Sequence, residues 1–186
     1  NASYTVVIPD NIDGKTVTEI RKEAFSNCAS IYEIVIPDTV TLIDPSAFIG
    51  CASLRAITVS DSNEAYKTVN GNLYSKDGKT LVKFCDVSAD EFSLPDTVSE
   101  ISPYAFYQMD KLTSLTLNNV KSIGKYAFYG CSSLKNIDLS SVEKVEEYAF
   151  YSCISLTYAN IGIKNIPEGL FYGCEKLEDV VLTGTE

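Results

Sequence analysis

The feature that most constrains this chain is an internal repeat. Ala-Phe occurs at Ala24-Phe25, Ala47-Phe48, Ala105-Phe106, Ala127-Phe128 and Ala149-Phe150, and Leu170-Phe171 continues the series. Successive phenylalanines lie 23, 58, 22, 22 and 21 residues apart. The register around each one is strict. Three residues on stands a cysteine, at Cys28, Cys51, Cys131, Cys153 and Cys174, with Met109 once in the slot. Three further on comes an aliphatic residue, at Ile31, Leu54, Leu112, Leu134, Leu156 and Leu177. Then follow Ile34, Ile57, Leu115, Ile137, Ala159 and Val180, and two beyond them Ile36, Val59, Leu117, Leu139, Ile161 and Leu182. This in-out-in alternation is the period of a strand. A second apolar pair precedes the next Ala-Phe, at Val17/Ile20, Val40/Ile43, Val98/Ile101, Val120/Ile123, Val142/Val145 and Ile163/Ile166.

One copy cannot bury its own apolar edge. Stacking copies about 4.8 Å apart pairs their strands in parallel and sets identical side chains over one another. A period of roughly 20–29 residues belongs to leucine-rich repeats. More narrowly, Cys-x-x-Leu-x-x-Ile-x-(Leu/Val), then (Ile/Leu)-Pro-x-x-Val-x-x-Ile, then Ala-Phe resembles the BspA-like, or Treponema-type, leucine-rich repeats. The best copy runs from Ile36-Pro37 through Val40, Ile43 and Ala47-Phe48 to Cys51 and Leu54. Later copies replace the proline with Asn118, Ser140 and Gly162. The fold expected is an α/β, β-rich repeat solenoid: a right-handed coil with parallel strands on one face and short helical or 3-10 turns on the other.

Residues 1–186 read as a single solenoid of about six repeats of 21–23 residues, with an enlarged, hairpin-containing insertion at about 60–93. Within that insertion Lys76-Asp77-Gly78-Lys79 separates Asn72-Leu73-Tyr74-Ser75 from Thr80-Leu81-Val82-Lys83-Phe84. Asp-Gly between two β-rich runs signals a hairpin. It is either an enlarged repeat or a protruding flap over a ligand. Asp77 and Asp86 lack the dense acidic spacing of a calcium loop. The pattern is already under way at Tyr4 and still running at Leu182, which reads as a segment of a longer protein.

A net charge of −10 disfavours nucleic-acid backbones and anionic lipid surfaces. No apolar run is long enough for membrane insertion within this segment. The chain has no histidine, which removes Ser-His-Asp and Cys-His catalysis and His-containing zinc sites. The pairs Glu146-Glu147 and Glu178-Asp179 are adjacent, whereas glycosidase carboxylates face each other across a cleft. No enzyme activity, cofactor or metal is expected.

Five of the six cysteines share one repeat position, so their thiols point in parallel and act as small buried hydrophobes, since a disulfide needs convergence. Cys85 is out of register and is expected to be exposed and reactive.

The outward strand positions form two columns. One holds Glu33, Ala56, Ser114, Asn136, Tyr158 and Asp179, and the other Val35, Thr58, Thr116, Asp138, Asn160 and Val181. Solenoids bind partners on such sheet surfaces. Asn136, Asp138, Tyr158 and Asn160 cluster on neighbouring strands and are the leading ligand-binding candidates. Tyrosines make two further columns, Tyr104, Tyr126 and Tyr148, and then Tyr107, Tyr129, Tyr151 and Tyr172. The second of these is a secondary candidate, either cover for the turn or a strip for a sugar or protein.

The family resemblance implies an exported or cell-surface bacterial protein, with members implicated in adhesion to host extracellular proteins or other cells. The expected partner is a protein, host extracellular matrix included, or a glycan. The alternative is a structural spacer or scaffold presenting another domain. Open coil ends also permit self-association.

Overall fold

Strand alternation and the two apolar pairs per repeat are realised as coils whose backbones pair edge to edge. The computed structural model describes residues 4–183. The chain divides into two compact units, Asn1–Val87 and Ser88–Glu186.

In the first unit Tyr4–Val7, Ile31–Ile36 and Ala56–Val59 form a parallel sheet in that order. Its register pairs Glu33 with Ala56 and Val35 with Thr58. A second parallel ladder joins Glu19–Ile20 to Leu42–Ile43. The inward residues Ile20, Ile34, Ile36, Val40, Ile43, Phe48, Leu54 and Ile57 make one core. Each fully buried side chain of this kind contributes roughly 1.5–3 kcal/mol. An antiparallel meander of Tyr66–Val69, Asn72–Ser75 and Thr80–Lys83 follows. Its first turn is Asn70-Gly71, with φ of 50° and 78°, the left-handed pair a tight hairpin needs. The Asp13-Gly14 turn between Asn11–Ile12 and Lys15–Thr16 repeats the device.

In the second unit Glu91–Ser93 pairs in parallel with Ser114–Thr116, which places Phe92 opposite Leu115. Asn136–Leu139, Tyr158–Ile161 and Asp179–Leu182 make a three-stranded parallel sheet. Beside it, Glu100–Ile101, Ser122–Ile123 and Lys144–Val145 form the second ladder. At the Ala-Phe turn Phe106 N–H donates to Ala127 O, and Phe128 N–H to Ala149 O, both at 2.8 Å. These bonds hold the coils at strand spacing, so identical rings must stack. Phe106 and Phe128 centroids lie 4.9 Å apart, and Phe128 and Phe150 4.8 Å apart, with nearly parallel planes.

Of the expected short helical or 3-10 turns, one forms as a 3-10 helix and the others are non-helical turns among the described residues. Pro45–Phe48 is the sole 3-10 helix among the described residues, capped by Asp44, whose carboxylate accepts from Ser46 N–H at 2.9 Å. Elsewhere the residue two before phenylalanine adopts left-handed φ instead, at Glu23, Tyr104, Tyr126, Tyr148 and Gly169. A proline at the first helical position and a capping aspartate favour the 3-10 path in the one coil that has both.

Ile166 is 56% exposed, although its repeat position is an inward one, while Ile163 is buried. The phenylalanine spacing falls to 21 in that coil, and the missing residue is taken out of the segment leading to Pro167.

Candidate interaction surface

The sheet face of the second unit is built by register. Asn136 pairs with Tyr158 and Tyr158 with Asp179, while Asp138 pairs with Asn160 and Asn160 with Val181. Between them Ile137, Leu139, Ala159 and Ile161 turn inward and are buried. All four leading candidates therefore lie together on two adjacent strands. Asn136 and Asp138 are exposed, and Tyr158 and Asn160 are half-buried.

Hydrogen bonds link part of this group. Asn160 Nδ2 donates to Asp138 Oδ1 at 3.1 Å, and Thr183 Oγ1 donates to Asn160 Oδ1 at 3.2 Å. Ser140 N–H also donates to Asp138 Oδ1, at 2.9 Å. The Ser140 hydroxyl and amide, and then the Asn160 amide, hold the Asp138 carboxyl below its ordinary range. The face thus carries a fixed negative charge at neutral pH, beside an amide and a phenol able to donate. Thr183 went unrecognised in the sequence because its partner Asn160 lies a whole coil away, and Ser140 because its bond to Asp138 depends on the local turn after the strand.

The tyrosines stack as columns. Tyr107–Tyr129, Tyr129–Tyr151 and Tyr151–Tyr172 centroids lie 4.8, 5.0 and 5.1 Å apart, with planes within 18°. Tyr104–Tyr126 and Tyr126–Tyr148 lie 5.6 and 5.3 Å apart. Ring faces so arranged cover each other and leave edges and hydroxyls for a partner. Tyr172, at the end of its column, is 63% exposed. Lys125 Nζ sits 5.5 and 5.8 Å from the Tyr126 and Tyr148 rings while bonding Glu147 at 2.7 Å. Tyr148 hydroxyl donates to the Glu168 carboxylate, which raises the phenol above its ordinary value.

The cysteines are all free thiols. Their repeat position has a role beyond filling space. Cys51, Cys131, Cys153 and Cys174 each donate S–H to the carbonyl of the preceding coil's phenylalanine, at 3.0–3.2 Å. Cys28 is exposed and Cys174 half-buried, while the other three of the column are buried. Cys85 overturns its expectation. It is fully buried, its N–H donates to Asn72 Oδ1 at 2.7 Å, and burial pushes its thiol up to about 12.

Paired acids are engaged locally. Glu146 accepts from Lys144 Nζ at 2.8 Å and from Lys125 N–H at 3.1 Å. Asp77 closes the hairpin turn, accepting from Ser75 Oγ and Lys79 N–H. Among the described residues no three histidine, cysteine, aspartate or glutamate side chains group as a metal site, and no helix is long and apolar enough to cross a membrane.

Against this geometry, the family described as BspA type leucine rich repeat region matches in six copies over residues 6–76 and 82–185. No curated protein matches the chain. A leucine-rich repeat protein from Eubacterium ventriosum is similar at 28% identity and TM-score 0.87, over 97% of this chain and 48% of that one. The pneumococcal vaccine antigen PcpA is similar at 26% identity and TM-score 0.84, over 92% of this chain and 44% of the other. A leucine-rich cell surface protein from Faecalibacterium prausnitzii is similar at 25% identity and TM-score 0.62, over 97% and 60%. The chain spans a little under half the length of the first two.

Proposed function

This chain belongs to the BspA-type leucine-rich-repeat family, and from that premise we propose that it is a non-enzymatic interaction module of an exported, cell-surface bacterial protein. Its partner is a protein, host extracellular matrix included, or a glycan on another cell. The observation that carries this reading is the sheet face. Core positions there hold their character from coil to coil, while the outward columns change at every strand. A rigid face with Asn136, Asp138, Tyr158 and Asn160 fixed in register binds by many simultaneous contacts, with little ordering cost and no chemical step. The relatives support the location: one is described as a cell surface protein and another as a vaccine antigen. The acids Glu146 and Glu147 are held by Lys144 and Lys125, not poised across a cleft, which supports a binding role over hydrolysis.

The rival is a spacer. One observation favours it: Asp138, Asn160 and Thr183 already satisfy part of one another's hydrogen-bonding capacity. A panel of immobilised extracellular-matrix proteins and a glycan array, probed with the labelled chain, separates the two. The binding role predicts saturable capture on at least one surface. Absence of saturable capture on both panels favours the spacer.

A further inference from the structure

In the second ladder of the second unit, backbone pairing between coils stops past Lys144–Val145 among the described residues. Along the second ladder, the residues seven, six and four before phenylalanine donate N–H to the preceding coil. Lys121 and Ser122 donate to Ser99 O, and Gly124 to Ile101 O. Glu143 and Lys144 donate to Lys121 O, and Glu146 to Ile123 O. In the next coil those positions are Lys164, Asn165 and Pro167. Proline has no N–H to give. The coil is also one residue short. It leaves the stack after Gly162, whose N–H reaches Leu139 O at 3.2 Å, and rejoins it at Glu168, whose carbonyl accepts from Tyr148 N–H at 3.0 Å.

The outer edge of Lys144–Val145 is therefore open. The Glu143 and Val145 carbonyls, two residues apart, face it with no donor among the described residues. A trough of about 770 Å³ lies there, bordered by Ser141, Lys144, Gly162, Lys164 and Pro167. A second, of about 350 Å³, continues past Val145 and Pro167. Ile166, between the lining residues Asn165 and Pro167, is 56% exposed and lines neither trough itself. Lys121, Lys125 and Lys144 are paired with Glu143, Glu147 and Glu146 at 3.4, 2.7 and 2.8 Å. Lys164 has no such partner among the described residues and is exposed.

We propose that this edge docks an extended acidic peptide segment of a partner protein, which adds to the ladder as a further strand. Alternate N–H groups of an extended chain match the two-residue spacing of the Glu143 and Val145 carbonyls. An apolar side chain of the peptide covers Ile166, and a carboxylate meets the unpaired Lys164. The site is separate from the sheet face and does not depend on the function proposed for it.

The test is fluorescence polarisation of the 186-residue chain with a fluorescein-labelled hexapeptide of alternating glutamate and valine. Two analogues carry N-methyl groups, one on the glutamate nitrogens and one on the valine nitrogens. Saturable binding is expected, and one analogue loses it, because only one edge of the peptide faces the strand. Lys164→Glu weakens binding by about tenfold, and Ile166→Ser by several-fold. Both side chains are exposed, and circular dichroism checks that each variant stays folded. Tyr158→Ala/Asn160→Ala binds the hexapeptide unchanged. The proposal is overturned by no saturation at millimolar peptide, by both N-methylated analogues binding as the parent does, by both trough variants binding unchanged, or by loss of binding in the sheet-face variant.

Discussion

At the scale of single residues, the non-repeated side chains carry chemistry that periodicity does not announce. Asn63 is fully buried and uses its whole amide. Its Nδ2 donates to Pro37 O and Val40 O at 2.9 and 2.8 Å, and its Oδ1 accepts from Ala65 and Tyr66 N–H at 2.9 and 2.8 Å. Asn63→Ala strands two carbonyls and two amides, and a loss of about 3 kcal/mol or more is expected in urea unfolding. A shift below about 1 kcal/mol would mean water replaces the amide. Cys85 gives a second prediction. Native-state thiol labelling should tag Cys28 first and leave Cys85 untouched until denaturant is added; prompt labelling of Cys85 would contradict its burial. Its folded-state value of about 12 lies above the ordinary thiol value. Its contribution to stability is thus complete below pH ~9 and is lost as pH rises towards about 12. Tyr66 and Tyr74 are raised by burial and act in the same direction. Asp138 and Glu146 are lowered, so their contributions are present above the ordinary carboxylate range and lost as pH falls into it. The unfolding midpoint should therefore fall at both extremes, and a midpoint that rises between pH 8.5 and 10.5 would refute the alkaline half.

At the scale of elements, the six-fold recurrence made the inward positions legible. Each copy repeated the same assignment, so Ile34/Ile36, Ile57/Val59, Leu115/Leu117 and Ile137/Leu139 could be placed in the core from spacing alone, and the structure buries all of them. Ile166 escaped this logic because the 21-residue spacing and Pro167 act together, and neither is decisive alone. The Asn70-Gly71 hairpin was as readable as Asp77-Gly78, but it lies where the repeat pattern is interrupted. The stacked columns permit a graded prediction. Phe128 is buried with Phe106 and Phe150 on its two faces, so Phe128→Ala should cost about 3–5 kcal/mol. Tyr129 is half-buried between Tyr107 and Tyr151, and Tyr129→Ala should cost only about 0.5–1.5 kcal/mol beyond its area term. Gly169 holds φ of 59°, and a Cβ there would come within 2.3 Å of the Tyr148 ring. Gly169→Ala should destabilise more than Gly14→Ala, where a Cβ would meet nothing within 4 Å. Equal effects on urea midpoints would show that the ring yields freely.

At the scale of the whole molecule, identical coils provide the frame and their differences provide the surface. The four sheet-face candidates were legible because strand period and repeat period are both fixed, which determines which side chains leave the core and which stand side by side. What they bind was not legible, since a partner is selected by the combination of several strands. The direct test compares the chain with Tyr158→Ala/Asn160→Ala and with Tyr129→Ala/Tyr151→Ala for capture by the matrix and glycan surfaces that bind it. The sheet-face account predicts that the first variant loses at least about tenfold in affinity, as truncation of central interface residues does, and that the second binds as the parent. Undiminished binding by Tyr158→Ala/Asn160→Ala, with loss in the tyrosine-column variant, would contradict it and move the site to the stacked rings.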